Sequence, residues 1–72
     1  MTVCVEGHKT NDYYISLEVT RRYNREIYVV QVCPRIDDCR CGYPIREATY
    51  SMQEEKKARA TYRRYIRECC KW

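Results

Sequence analysis

Apolar and polar residues alternate with period two from Asp12 to Pro34, the repeat of strands that bury one face. In YYISLEVT, Tyr13, Ile15, Leu17 and Val19 fall on one side, and Tyr14, Ser16, Glu18 and Thr20 on the other. In EIYVVQVC the two sides are Tyr28, Val30 and Val32 against Ile27, Val29, Gln31 and Cys33. A two-residue turn at Tyr23-Asn24 would join them, because Asn tolerates positive φ and such loops match the twist of the flanking strands. That turn sets Val19 opposite Tyr28, Leu17 opposite Val30 and Ile15 opposite Val32, which carries one apolar face across both strands. A slip of one residue would turn one strand's apolar set to water, so pattern and turn support the same register. Strands are expected over residues 12–21 and 25–33.

Weaker signals flank this hairpin. TVCVE predicts a short strand over 2–6, ended by Gly7, with GHKTND as a turn. CPRIDDCRCGYP reads as a loop from its Pro, Gly and Asp content. IREATY predicts a last short strand over 45–50, with Pro44 at its start because proline cannot donate to a ladder. Ser51 followed by Glu54 forms the capping-box pattern SMQE and opens a helix expected over 52–70. At ~100° per residue, Ala58, Tyr62, Tyr65, Ile66 and Cys69 make one stripe that should pack on the hairpin's apolar face. The expected class is α+β, of order β-β-β-(β)-α: a three- or four-stranded antiparallel sheet packed on one long C-terminal helix.

Composition narrows the picture further. A 72-residue chain is expected to form one domain, residues 1–72, because a chain this small buries only ~60% of its unfolded surface. Phe is absent while Tyr occurs eight times, so the core must be built on Tyr rings whose hydroxyls need partners at its rim. No apolar run approaches the ~18 residues of a membrane span, and no leader-like segment follows Met1. The expectation is a cytoplasmic protein without a membrane partner.

Charge is distributed unevenly. Residues 1–50 carry seven basic and seven acidic groups, whereas 51–72 carry seven basic and three acidic, so the net +4 lies in the C-terminal segment. On a helical wheel Lys56, Lys57, Arg63, Arg64, Arg67 and Lys71 cluster opposite the apolar stripe; Glu54 and Glu55 sit in the first turn, where they complement the helix dipole, and only Glu68 lies near the basic side. Glu55 stands four residues before Arg59, the favourable spacing, and Arg64 to Glu68 has it in the reverse order, but Arg63 to Arg67 and Arg67 to Lys71 are like-charge neighbours. At the hairpin tip, Arg22 is set opposite Arg25, a repulsive cross-strand pair that an anion such as phosphate would relieve. Two readings stand: an ordinary solvated surface, or a face that meets nucleic acid or an acidic protein through Lys56, Arg63, Arg64, Arg67, Lys71, Arg22 and Arg25.

In element order alone, residues 12–70 resemble the DNA-binding domains at the N-terminus of some tyrosine integrases and the plant AP2 domains. That resemblance implies base reading by the open sheet face. Here the open face between Tyr14 and Thr20 and between Ile27 and Cys33 carries one acid, Glu18, and no base, a departure from that scheme. Its apolar members Tyr14, Ile27 and Val29 suggest an alternative role as a protein interface, in a monomer with a partner or in a homodimer, unless the chain itself covers them.

Six cysteines admit three interpretations. A disulfide framework fits the even number and the small size, but six Cys allow fifteen pairings and a reducing compartment disfavours them. A zinc site would combine Cys4, His8, Cys39 and Cys41, although neither CVEGH nor CRC has the spacing of a zinc knuckle. Free thiols are the third: Cys33 and Cys69 as small buried hydrophobes, and Cys70 activated by nearby Arg63 and Arg67. No catalytic motif is present, and the chain is expected not to be an enzyme. His8 stands alone, Asp37-Asp38 suits a turn, and the two glycines, Gly7 and Gly42, make no phosphate loop.

Overall fold

The computed structural model describes residues 2–37 and 40–71, Cys70 by its backbone alone. Four strands, β1 (Val3–Lys9), β2 (Tyr13–Arg22), β3 (Arg25–Pro34) and β4 (Arg46–Ser51), form one antiparallel sheet in sequence order. A 3-10 turn (Met52–Glu54) leads into α1 (Glu55–Glu68), which ends in a second 3-10 turn (Cys69–Lys71). The α+β arrangement expected from the pattern is the one found.

The hairpin has the expected register, with Ile15 opposite Val32, Leu17 opposite Val30, Val19 opposite Tyr28 and Arg22 opposite Arg25. Tyr23 and Asn24 both adopt left-handed backbone, at φ of 53° and 62°, as a two-residue turn between twisted strands requires. The apolar face so created receives α1. Ile15, Leu17, Val30, Val32 and Ala58 are fully buried, and Tyr28, Tyr62, Tyr65 and Cys69 close the core around them. Ile66 and Tyr50 pack at its margin. At ~25 cal/mol per Å², each buried Val, Leu or Ile side chain contributes about 1.5–3 kcal/mol, so this one seam supplies most of what holds helix to sheet.

Tyr hydroxyls at the rim find partners, as a Tyr-built core requires. The Tyr28 hydroxyl donates to Glu55 Oε1 at 3.1 Å, and the Tyr50 and Thr61 hydroxyls share a hydrogen bond of 2.6 Å. The first pins β3 to the start of α1 and the second pins β4 to its middle. Glu54 serves the helix start from within: its Oε1 accepts from the Ser51 backbone N–H at 3.1 Å and from the Ser51 hydroxyl at 3.2 Å.

The first strand differs from expectation. It continues through Gly7 to Lys9, and the turn is confined to the residues around Asn11, where Thr10 Oγ1 accepts the Tyr13 N–H at 2.9 Å. A register shift between Cys4 and Glu6 inserts Val5 as a bulge, so Val3 and Glu6 share the helix side while Cys4 and Gly7 lie on the other. Gly7 is tolerated in mid-strand because the Tyr14 ring lies where a side chain would stand; a Cβ there would collide with the Tyr14 hydroxyl. β4 likewise begins one residue later than IREATY suggests and includes Ser51.

Candidate functional site

The core decides which side of α1 faces water. With Ala58, Thr61, Tyr62 and Tyr65 buried, the opposite side presents Lys56, Lys57, Ala60, Arg63, Arg64 and Arg67, all exposed, and Lys71 follows in the terminal turn. At ~100° per residue the five basic residues of α1 on this side occupy an arc of about 120° that contains no acid.

The acids near the helix start are engaged by neighbouring side chains, of which Lys57 lies at the edge of this arc. Glu54 Oε2 pairs with Lys57 at 3.2 Å. Glu55 Oε2 accepts from Arg59 Nε at 3.0 Å, and Arg59 Nη1 reaches Glu6 Oε2 on β1 at 3.2 Å. The Ser51 backbone N–H, helped by Lys57 and the Ser51 hydroxyl, holds the Glu54 carboxyl below its ordinary range. Hydrogen bonds from Arg59 and then Tyr28 do the same for Glu55. Arg59, expected to pair with Glu55, is thus tied into the fold and is not part of the outward basic side. Lys56 and Arg63 have no ion-pair partner among the described residues. The Arg64 guanidinium carbon lies 5.7 Å from the centroid of the Tyr65 ring, within cation–π range.

The hairpin-tip arginines occupy a different side. Arg22 and Arg25 project from the sheet face opposite the helix, by the alternation of β2 and β3. They share an end of the molecule with Lys56, because β4 runs toward the tip, pairs Ser51 with Ile27, and hands the chain directly to the helix. The seven proposed binding residues therefore form two groups on opposite faces of the molecule, not a single continuous face. Arg22 is partly neutralised by Glu47, at 3.5 Å with side chains 44% and 36% exposed. One further residue at the tip escaped the sequence reasoning. Tyr23 is 97% exposed, beside a cavity of about 540 Å³ lined by Arg22, Tyr23, Arg25, Ile27 and Thr49. Its signal was available in the turn itself, which normally favours Asn or Gly where Tyr23 stands.

Burial reduces the apolar area that the open sheet face presents. Val29 retains 1% exposure and Ser16 2%, while Tyr14 and Ile27 are half-buried. The cover does not come from β1 folding over the face, since β1 extends the sheet beside β2. Val29 lies on a central strand flanked by Glu18 and Thr49, and the Arg22–Glu47 pair spans β3 on the same side. Tyr14 turns its ring over Gly7, with its hydroxyl 4.0 Å from Cys4 Sγ; burial and then Cys4 push that phenol upward.

The proposed zinc ligands are not gathered. Cys4 pairs with Glu18 and His8 with Ile15, residues on opposite faces of β2, so the two side chains leave the sheet in opposite directions. Cys41 lies beyond the end of β3, bridged through Arg35, and Cys39 is outside the described residues. Among the described residues no group of three or more metal-binding side chains comes together. Cys4, Cys33, Cys41 and Cys69 are free thiols. Burial, followed by the nearby Cys41, raises the Cys33 thiol above its usual pKa. The Cys70 side chain, proposed as an activated thiol, is outside the description. Asp37 acts as a turn former: its carboxylate accepts from the Arg40 backbone N–H at 2.8 Å and from Arg40 Nε at 2.7 Å.

Among the described residues no helix is long and apolar enough to cross a membrane. Comparison of the chain with protein-family models, with curated proteins and with solved structures returns no match.

Proposed function

We propose that this protein is a non-enzymatic accessory protein that binds nucleic acid through the outward side of α1, with Lys56, Arg63, Arg64, Arg67 and Lys71 contacting phosphates. The observation that supports this best is the segregation of charge on the helix. Its first-turn acids are taken up by Ser51, Lys57, Arg59 and Tyr28, which leaves an exposed basic arc without an interleaved acid. A surface serving solubility alone gains from mixed signs, whereas repeated like charges on one helix side destabilise it until counter-charges arrive. Phosphates supply those counter-charges at a regular spacing, and their neutralisation releases condensed cations. Binding of this kind positions the protein without reading sequence. The free thiols described at four positions suit a reducing, cytoplasmic setting.

The alternative, a homodimer or protein interface through the open sheet face, is weakened by the burial of Val29. The test is the Lys56→Glu/Arg63→Glu double variant, whose circular dichroism should match the parent because both side chains are exposed. Loss of binding to a labelled oligonucleotide supports the helix-side reading. Undiminished binding by the folded variant removes it.

A further inference from the structure

The tip of the β2–β3 hairpin combines features that solvent exposure alone does not account for. Tyr23 holds left-handed backbone at φ 53°, a conformation that suits Asn or Gly and disfavours an aromatic residue. Its ring recovers nothing by packing, since it is 97% exposed. On its two sides Arg22 and Arg25 face each other across the ladder, like charges at directly paired positions. Glu47 offsets Arg22 only from 3.5 Å in an exposed pair, and Arg25 has no ion-pair partner among the described residues. Three local preferences are thus broken within four residues, and among the described residues only the exposed Arg22–Glu47 pair offsets any of them. Such conflicts collect at functional positions.

We propose that the tip is a subsite for single-stranded nucleic acid, in which an unpaired base stacks on Tyr23 and the adjoining phosphate sits between Arg22 and Arg25. The chemistry matches the parts. A fully presented aromatic ring stacks with any base, and each planar guanidinium can donate two parallel N–H bonds to phosphate oxygens. The anion also removes the repulsion between the paired arginines. These three residues, with Ile27 and Thr49, line an open cavity of about 540 Å³. Lys56, at the same end of the molecule, would carry the backbone onward to the helix side. The subsite rests on the nucleic-acid reading above and adds to it a preference for unpaired over duplex strands.

The deciding variant is Tyr23→Asn. Asn accepts left-handed backbone more readily than Tyr, so the hairpin should be at least as stable as the parent's, and any loss of binding cannot come from unfolding. Binding of a labelled oligothymidylate strand and of a duplex of equal length is measured by anisotropy for the parent, for Tyr23→Asn and for Lys56→Glu/Arg63→Glu. The expected result is a loss of about tenfold for the single strand in Tyr23→Asn, with duplex binding unchanged, consistent with the usual worth of one stacked base. Arg25→Gln should lower the salt slope for the single strand by about one phosphate contact. If Tyr23→Asn binds the single strand as the parent does, while the helix double variant loses both ligands, the tip proposal is overturned and the helix reading stands. If the parent binds neither ligand, both fall together.

Discussion

The hydrogen bond between the Tyr50 and Thr61 hydroxyls offers a direct test of how a Tyr-built core is held together. At 2.6 Å it joins β4 to α1, with Thr61 6% exposed and Tyr50 packed against the core cluster. Tyr50→Phe removes one hydroxyl and leaves the other without this partner in a part-buried site; Thr61→Val does the reverse with nearly constant shape. A buried polar group deprived of its partner costs about 1–3 kcal/mol, so each single change should lower stability by that amount. For a domain of this size that corresponds to a fall in Tm of roughly 4–24 °C. The double variant Tyr50→Phe/Thr61→Val leaves no orphan and should be nearly as stable as the parent. Urea unfolding of all four proteins, followed by far-UV circular dichroism, closes the cycle. A double variant destabilised by the sum of the two singles would refute the coupling, and with it the claim that this bond fastens the fourth strand to the helix.

Two further expectations concern ionisable groups. Glu54 and Glu55 have carboxyls held below the ordinary value of 4.5, so their contribution is fully present above that pH and is lost as pH falls through their lower folded values. Thermal melts from neutral to acid pH should therefore show a steep loss of Tm below about pH 4.5 in the parent and a shallower one in Glu54→Gln/Glu55→Gln; equal slopes would contradict the assignment. Cys33, half-buried and with its thiol pKa raised, should react with iodoacetamide at neutral pH more slowly than the exposed Cys4 and Cys41, as read by peptide mass spectrometry. Faster labelling of Cys33 would show that its burial is wrong.

Much of the fold was legible because two independent signals coincided. The alternation in YYISLEVT and EIYVVQVC and the Tyr-Asn turn each specify the same register, and a one-residue error would have been visible in both. The helix was equally readable from SMQE and from the spacing of Ala58, Tyr62 and Tyr65. The first strand was not, because a bulge at Val5 breaks the parity on which pattern reading depends, and Gly7 imitates a strand end. What makes Gly7 a strand residue is the ring of Tyr14 from the neighbouring strand, a contact with no local trace. The same limit applies to the candidate site. The basic side of α1 follows from residue spacing alone, whereas the burial of Val29 depends on where β4 pairs and on the Arg22–Glu47 pair across β3. The separation of Cys4 from His8 likewise depends on the bulge, which local spacing conceals.

The central claim, that the outward side of α1 meets a polyanion, is tested most directly by the salt dependence of binding to a labelled duplex. If the five basic side chains each neutralise one phosphate, log K should fall against log salt with a slope of about −4.5. Lys56→Gln/Arg63→Gln should reduce the slope by about two contacts and weaken binding across sequences without changing sequence preference. No binding at low salt, or an unchanged slope in the folded double variant, would contradict the account and leave the helix side an ordinary solvated surface.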